Sequence, residues 1–303
     1  MSKHEPKSLS PEKEVELLKE FLDQGHRIRA YDLVMGKART LFDQLAAEFP
    51  AMAHTPFSPE ELARRLNYYE TVTKPLQNLI ITSCYWGGTE QERTCVKCLE
   101  LIANLPREAG LDVWVSLKLY PALLLLYSGG VAAIAAEQYS TLNALLSKAR
   151  FIDERKDSPL VLEVNIPKVM ETRVGQQISG MDRRRTPLSD YLYELLREPF
   201  REYLPHDFLY QKHFDYFEYL SALVYVDKVN MQGVTKQWGP VGCFGWRRRG
   251  YREDTIMSEI NLEVANAGEY WPPLKAGLFN GSSERFKEVK VAFDSFLSEL
   301  HWY

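Results

Sequence analysis

"YPALLLLYSGGVAAIAAEQY", residues Tyr120 to Tyr139, is the most apolar run in the chain, and its reading decides the fold. A helix that crosses a bilayer needs about 20 consecutive apolar residues. This run sits at that limit, with Lys118 and Glu137 bracketing it. Gly129 and Gly130 interrupt its middle, and each glycine weakens a helix by about 1 kcal/mol relative to alanine. The pattern predicts a buried core element, either two short helices or one kinked helix, and no membrane span.

Composition agrees with a core of that kind. A chain of 303 residues with 45% hydrophobic and 26% charged residues can bury a large interior, as one domain or two closely packed ones. Aromatic residues reach 12%, which favours packed interiors or stacking surfaces over disorder. A net charge of -4 argues against a protein that coats nucleic acid by bulk charge, so any such contact is local. The opening "MSKHEPKSLSPEKEVE" is polar where the apolar stretch of a secretory signal would sit. With thiols read as reduced, this predicts a cytoplasmic protein.

Working outward from the apolar run, helix signals dominate. Ser10-Pro11 and Ser58-Pro59 each place a capping hydroxyl before a proline at the first helical position, and Glu61 completes a capping box after Ser58. Thr89 with Glu92 reads as another box, and Thr186-Pro187 as another start. "PEKEVELLKEFL" puts Val15, Leu17, Leu18, Phe21 and Leu22 on one face. Pro75 predicts a kink or break in the helix that begins at Pro59. "DFLYQKHFDYFEYLSALVYVDKV" reads as a long helix, and the best strand candidate is "SPLVLEVNIPKV", Ser158 to Val169, rich in branched residues between prolines. The fold class is therefore mainly α, an irregular multi-helix domain with at most one or two short β-strands. Residues 1–9 read as a disordered tail. The polar segment "ARFIDERKDSP", Ala149 to Pro159, divides a helical region at 10–150 from another at 151–303, and one composite domain is equally consistent.

Chemistry-bearing motifs are few. There is no phosphate-binding loop, no H-E-x-x-H and no G-x-S-x-G, so the chain leans toward a non-enzyme with no cofactor. In "LVLEVNIPK", Asn165 stands where a metal-dependent nuclease needs lysine after Glu163. The four cysteines are Cys84, Cys95, Cys98 and Cys243, and a zinc site would need all of them as thiolates. Against that, Cys95 and Cys98 lie in what reads as a continuous helix without a glycine turn, so buried free thiols are the simpler reading. His206 and His213 fall on one face of the long helix near Asp207 and Asp215, where packing is the simpler reading than a metal or proton relay.

The strongest candidate surface is "WGPVGCFGWRRRGYRED", Trp238 to Asp254. Trp246, Arg247, Arg248, Arg249 and Tyr251, together with Arg183, Arg184 and Arg185, make a candidate basic and aromatic contact loop. Arginine offers bidentate contacts to phosphate and aromatic rings stack on bases. Asp182, Glu253 and Asp254 next to these arginines support the competing view, in which the charges are ion-paired.

"YYETVTKPLQNLIITSCYWGG", "VWVSLKLYPALLLLYSGGVAAIAAEQYSTLNALL", "HFDYFEYLSALVYVDK", "WGPVGCFGWRRRG" and "EYWPPLKAGLFNGS" together resemble a helical accessory module of bacterial anti-phage defence proteins. The resemblance covers the chain from about Leu17 onward. In those proteins the module follows an effector domain, such as a sirtuin-like NAD-consuming or Toll-receptor-like domain. It carries no active site to transfer. The resemblance implies a regulatory, sensor or scaffold role beside an effector, on a separate chain or in a longer protein. Two expectations follow: a protein–protein contact module in a defence complex, or a nucleic-acid-binding module using the two arginine clusters.

Overall fold

The computed structural model describes residues 9–52, 54–106, 109–153, 156–231, 233, 238–247 and 255–300. Helix α1 (Pro11–Asp23) and α2 (Arg27–Met52) lead into α3 (Pro59–Trp86) and α4 (Gly88–Ala103). The short α5 (Asp112–Leu117) precedes α6 (Tyr120–Ala135), and α7 (Tyr139–Asn143) runs into a π turn at Ala144–Lys148. Strands β1 (Arg150–Asp153) and β2 (Lys156–Pro159) pair antiparallel. Two single-turn helices, α8 (Ile166–Val169) and α9 (Thr172–Gly175), lead to α10 (Pro187–Leu196) and α11 (Asp207–Met231). The rest comprises α12 (Phe244–Arg247), α13 (Ile256–Ala267), α14 (Pro272–Lys275) and α15 (Ser283–Glu299). The protein is mainly α, with one short strand pair among the described residues.

The apolar run is the central helix. Every residue of α6 from Tyr120 to Ile134 is buried, with α3, α4, α7 and α11 packed around it. Among the described residues one helical stretch, Asp112–Ala135, is long and apolar enough to cross a membrane, and 94% of its most apolar window is buried inside the protein. The glycine pair does not divide α6. A Cβ at Gly130 would fall well inside the Phe217 ring of α11, so the glycine lets two core helices approach closely. The weak helix propensity of glycine is overridden by packing.

Several local expectations change in the folded chain. Pro75 does not break α3, which runs on to Trp86; helices on either side hold it, and only the hydrogen bond from position 75 is lost. Ser58 caps α3 as expected, its Oγ accepting from the Glu61 N–H at 3.2 Å. Thr89 is not a cap, because α4 begins at Gly88. Thr186 precedes α10, yet its hydroxyl donates to Asp190 Oδ2 at 2.7 Å and makes no cap.

The strand expectation at Ser158–Val169 fails beyond Pro159. Leu160–Leu162 form a 3-10 turn and Ile166–Val169 a helical turn, with Asn165 Oδ1 accepting from the Lys168 N–H at 3.2 Å. The polar segment read as a boundary supplies the strands instead. The N–H groups of Arg150 and Ile152 are satisfied by Glu100 at 2.8 Å and Asn104 at 2.6 Å on α4, so this hairpin is docked on the core. One hydrophobic core runs through both halves of the chain. The tail expected at residues 1–9 lies, apart from Leu9, outside the described residues.

Candidate functional site: a carboxylate cluster beneath the arginine loop

Helix α11 has no polar face. Phe214 to Leu220 and Ala222 to Asp227 are all buried, so its carboxylates must find partners inside the protein. Asp215 and Glu218, one turn apart, share a face. Gly242 and Cys243 cross that face, and a Cβ at Gly242 would coincide with the Glu218 carboxylate. Glycine there is a requirement of close approach.

The cluster is closely bonded. Arg247 Nη1 donates to Asp215 Oδ1 at 2.5 Å, and its guanidinium lies 4.0 Å from the Tyr193 ring centroid. Ser189 Oγ and Tyr127 Oη donate to Glu218 Oε1 at 2.5 and 3.0 Å. The Cys243 N–H donates to Ser189 Oγ at 2.7 Å, and its thiol contacts Glu218 Oε2 at 3.4 Å. Burial pushes the Asp215 carboxyl up to about 6, opposed by the Arg247 charge. Burial also raises Glu218 to about 7, with Ser189 opposing it and the charge of Asp215 adding to the rise. Arg247 favours the charged form of Asp215, while burial and the neighbouring Asp215 favour the protonated form of Glu218. Asp215, Glu218 and Cys243 have the atom types of a metal site and lie within 4.8 Å of one another. Their oxygens and sulfur are, however, already engaged with Arg247, Ser189, Tyr127 and each other, and a cation on Asp215 would compete with the guanidinium.

The structure brings the two arginine clusters together. Asp190, on α10, lies 3.7 Å from Arg184 and accepts from the Thr186 hydroxyl, and the Arg247 charge also acts on it. Arg184 also approaches Glu194 at 3.9 Å. Arg183 is 96% exposed and lies 3.6 Å from Asp182. Arg185 is exposed and lines a cleft of about 220 Å3 with Trp238 and Val241. Of the two views of Arg247, contact residue or ion-paired residue, the second describes its side chain, which turns inward onto Asp215 because a buried carboxylate needs a partner. Arg248, Arg249 and Tyr251 lie outside the described residues.

The other candidate sites come apart. Cys84 and Cys95 are 3.6 Å apart, and Cys98 packs 3.4 Å from the Met35 sulfur, while Cys243 belongs to the carboxylate cluster. All four thiols are buried, and the set of four does not converge on one point. Burial lowers the His213 pKa to about 4, whereas His206 is exposed and stacks on Phe208. Glu163 pairs with Lys156. The residues overlooked in the sequence are Glu218, Ser189, Asp190 and Tyr127. Their signal was available in part, since "FDYFEYL" places two acids in a helix that is aromatic on every side.

Fold and site define a class: a mainly α protein whose aromatic, arginine-bearing surface element is anchored on buried carboxylates. Compared with protein-family models, with curated proteins and with solved structures, the chain matches none.

Proposed function

We propose that the chain is a non-enzymatic regulatory or scaffold protein that acts through protein–protein contacts at the patch formed by Arg183, Arg184 and Trp246. The observation that carries this reading is that Arg184 lies 3.7 Å from Asp190 while Arg247, paired with Asp215, exerts its charge on the same carboxylate. Arginine and tryptophan beside carboxylates form a mixed-charge, aromatic surface, the composition found at the energetic centre of protein interfaces. A polyanion gains less there, because Asp190, Asp215 and Glu194 already take up the charge of Arg184 and Arg247. The resemblance to accessory modules of anti-phage proteins adds the kind of partner, an effector chain or domain in a defence complex.

The exposure of Arg183 and Arg185 favours one second reading, local nucleic-acid binding. Affinity purification from the native source, with and without nuclease, separates the two. A protein that survives nuclease and is lost from the Arg183→Glu/Trp246→Ala variant supports the first reading. Nucleic acid in the untreated eluate, with an affinity falling steeply with salt, supports the second. A partner retained equally by the double variant overturns the placement of the contact.

A further inference from the structure

A second concave site lies away from the arginine patch, on the side where α1, α3 and the chain after α10 meet. It encloses about 740 Å3, a volume typical of small-molecule sites. One wall is a stripe of α3 at helical spacing: Asn67, Glu70, Thr71, Lys74, Gln77 and Asn78.

Glu70 is the fixed point of that wall. The hydroxyls of Tyr120 and Tyr191 donate to its Oε1 at 2.9 and 2.8 Å, while Oε2 accepts no hydrogen bond among the described residues. Burial raises its pKa above the ordinary carboxylate value, opposed by those two bonds. Thr71, next in sequence, also lines the cavity. Pro75 has no N–H, so the Thr71 carbonyl lacks the donor that a helix supplies four residues on. One backbone acceptor short of its helical donor is thus contributed by a residue that lines the cavity next in sequence to Glu70.

The charge balance has the same sign. Five carboxylates line the cavity against three cations. Lys19 pairs with Glu202 at 2.6 Å and Arg201 with Glu198 at 2.6 Å. Lys74 acts on Glu12, whose pKa is lowered mainly by its backbone and Ser10 hydrogen bonds. Glu16 and Glu70 are left without an ion pair among the described residues. Anions are disfavoured in such a site. A hard metal ion wants six or more oxygen ligands, which one carboxylate and one carbonyl do not supply.

We propose that this cavity binds a small organic cation bearing N–H donors, a primary amine or a guanidinium compound. Glu70 is its counter-ion and the Thr71 carbonyl its second acceptor. The inference uses residues separate from the protein-contact patch and does not depend on it.

Calorimetric titration of the full-length protein at low ionic strength, with agmatine and spermidine as probes, tests it. The expected result is saturable binding of at least one probe, and none of tetramethylammonium, which has the charge without the donors. Glu70→Gln keeps an acceptor for both tyrosines and removes the charge, so affinity should fall about tenfold or more. Pro75→Ala restores a helical N–H to the Thr71 carbonyl without altering charge, and should weaken binding several-fold with the helix intact. Absence of saturable binding by the wild type overturns the proposal. Equal binding of tetramethylammonium, or affinity unchanged in both variants, overturns it as well.

Discussion

At the scale of single residues, the buried acids of α11 govern how the protein responds to pH. Glu218 is raised to about 7 and Asp215 to about 6, both above their ordinary values of 4.5 and 3.8. The native state therefore holds protons that the unfolded chain has released between about pH 4.5 and 7. Stability falls as pH rises through that window and levels off above it. Glu218→Gln removes the titration while keeping an acceptor for Ser189 and Tyr127. Denaturant unfolding across pH should then show a flatter profile, the change at neutral pH amounting to roughly 3 kcal/mol or less. Arg247→Ala acts in the opposite sense, because it leaves the Asp215 carboxylate buried without its partner. Breaking a buried pair from one side costs about 3–5 kcal/mol. The loss should be smaller at pH 5 than at pH 8, since Asp215 can then take up a proton. A loss independent of pH would show that Arg247 stabilises through packing on Tyr193 alone.

At the scale of elements, two glycines in helices make opposite predictions. Gly130 of α6 faces the Phe217 ring with no room for a methyl group, whereas Gly36 of α2 is exposed with nothing near its Cβ position. Gly130→Ala should destabilise the protein by about 1–3 kcal/mol through overpacking. Gly36→Ala should stabilise it by up to about 1 kcal/mol, because alanine restricts the unfolded chain and favours the helix. Thermal unfolding of both variants reads the contrast. Helix propensity alone treats both positions alike, because the difference depends on what lies across the interface. The hairpin teaches a similar lesson. Its residues are polar and too few to declare strands, and their pairing relies on Glu100 and Asn104 of α4 to satisfy the β1 amides.

At the scale of the whole molecule, one core joins helices from both halves, with α6 against α3 early in the chain and α11 late in it. All four cysteines lie in that core, and burial raises the thiols of Cys98 and Cys243. Their modification should therefore follow opening of the fold. A thiol reagent should find almost none reactive in the native protein and all four in denaturant. Rapid reaction of even one native thiol would mean that this part of the core opens far more readily than the rest. The arginine-bearing element rests on both α10 and α11, through Ser189 and Asp215.

Read alone, the order of amino acids determined what depends on near neighbours. The proline starts of α1 and α3, the Ser58 cap, the apolar run that becomes α6 and the mainly α class all follow from spacing, capping and hydropathy, whereas the Ser10 hydroxyl makes no cap bond. The inward turn of Arg247 onto Asp215, the glycine contacts at Gly130 and Gly242, and the cavity at Glu70 were decided by tertiary structure. Each depends on a group tens of residues away. The energy that places it, a buried charge needing its partner or a ring needing space, exists only once the helices have packed.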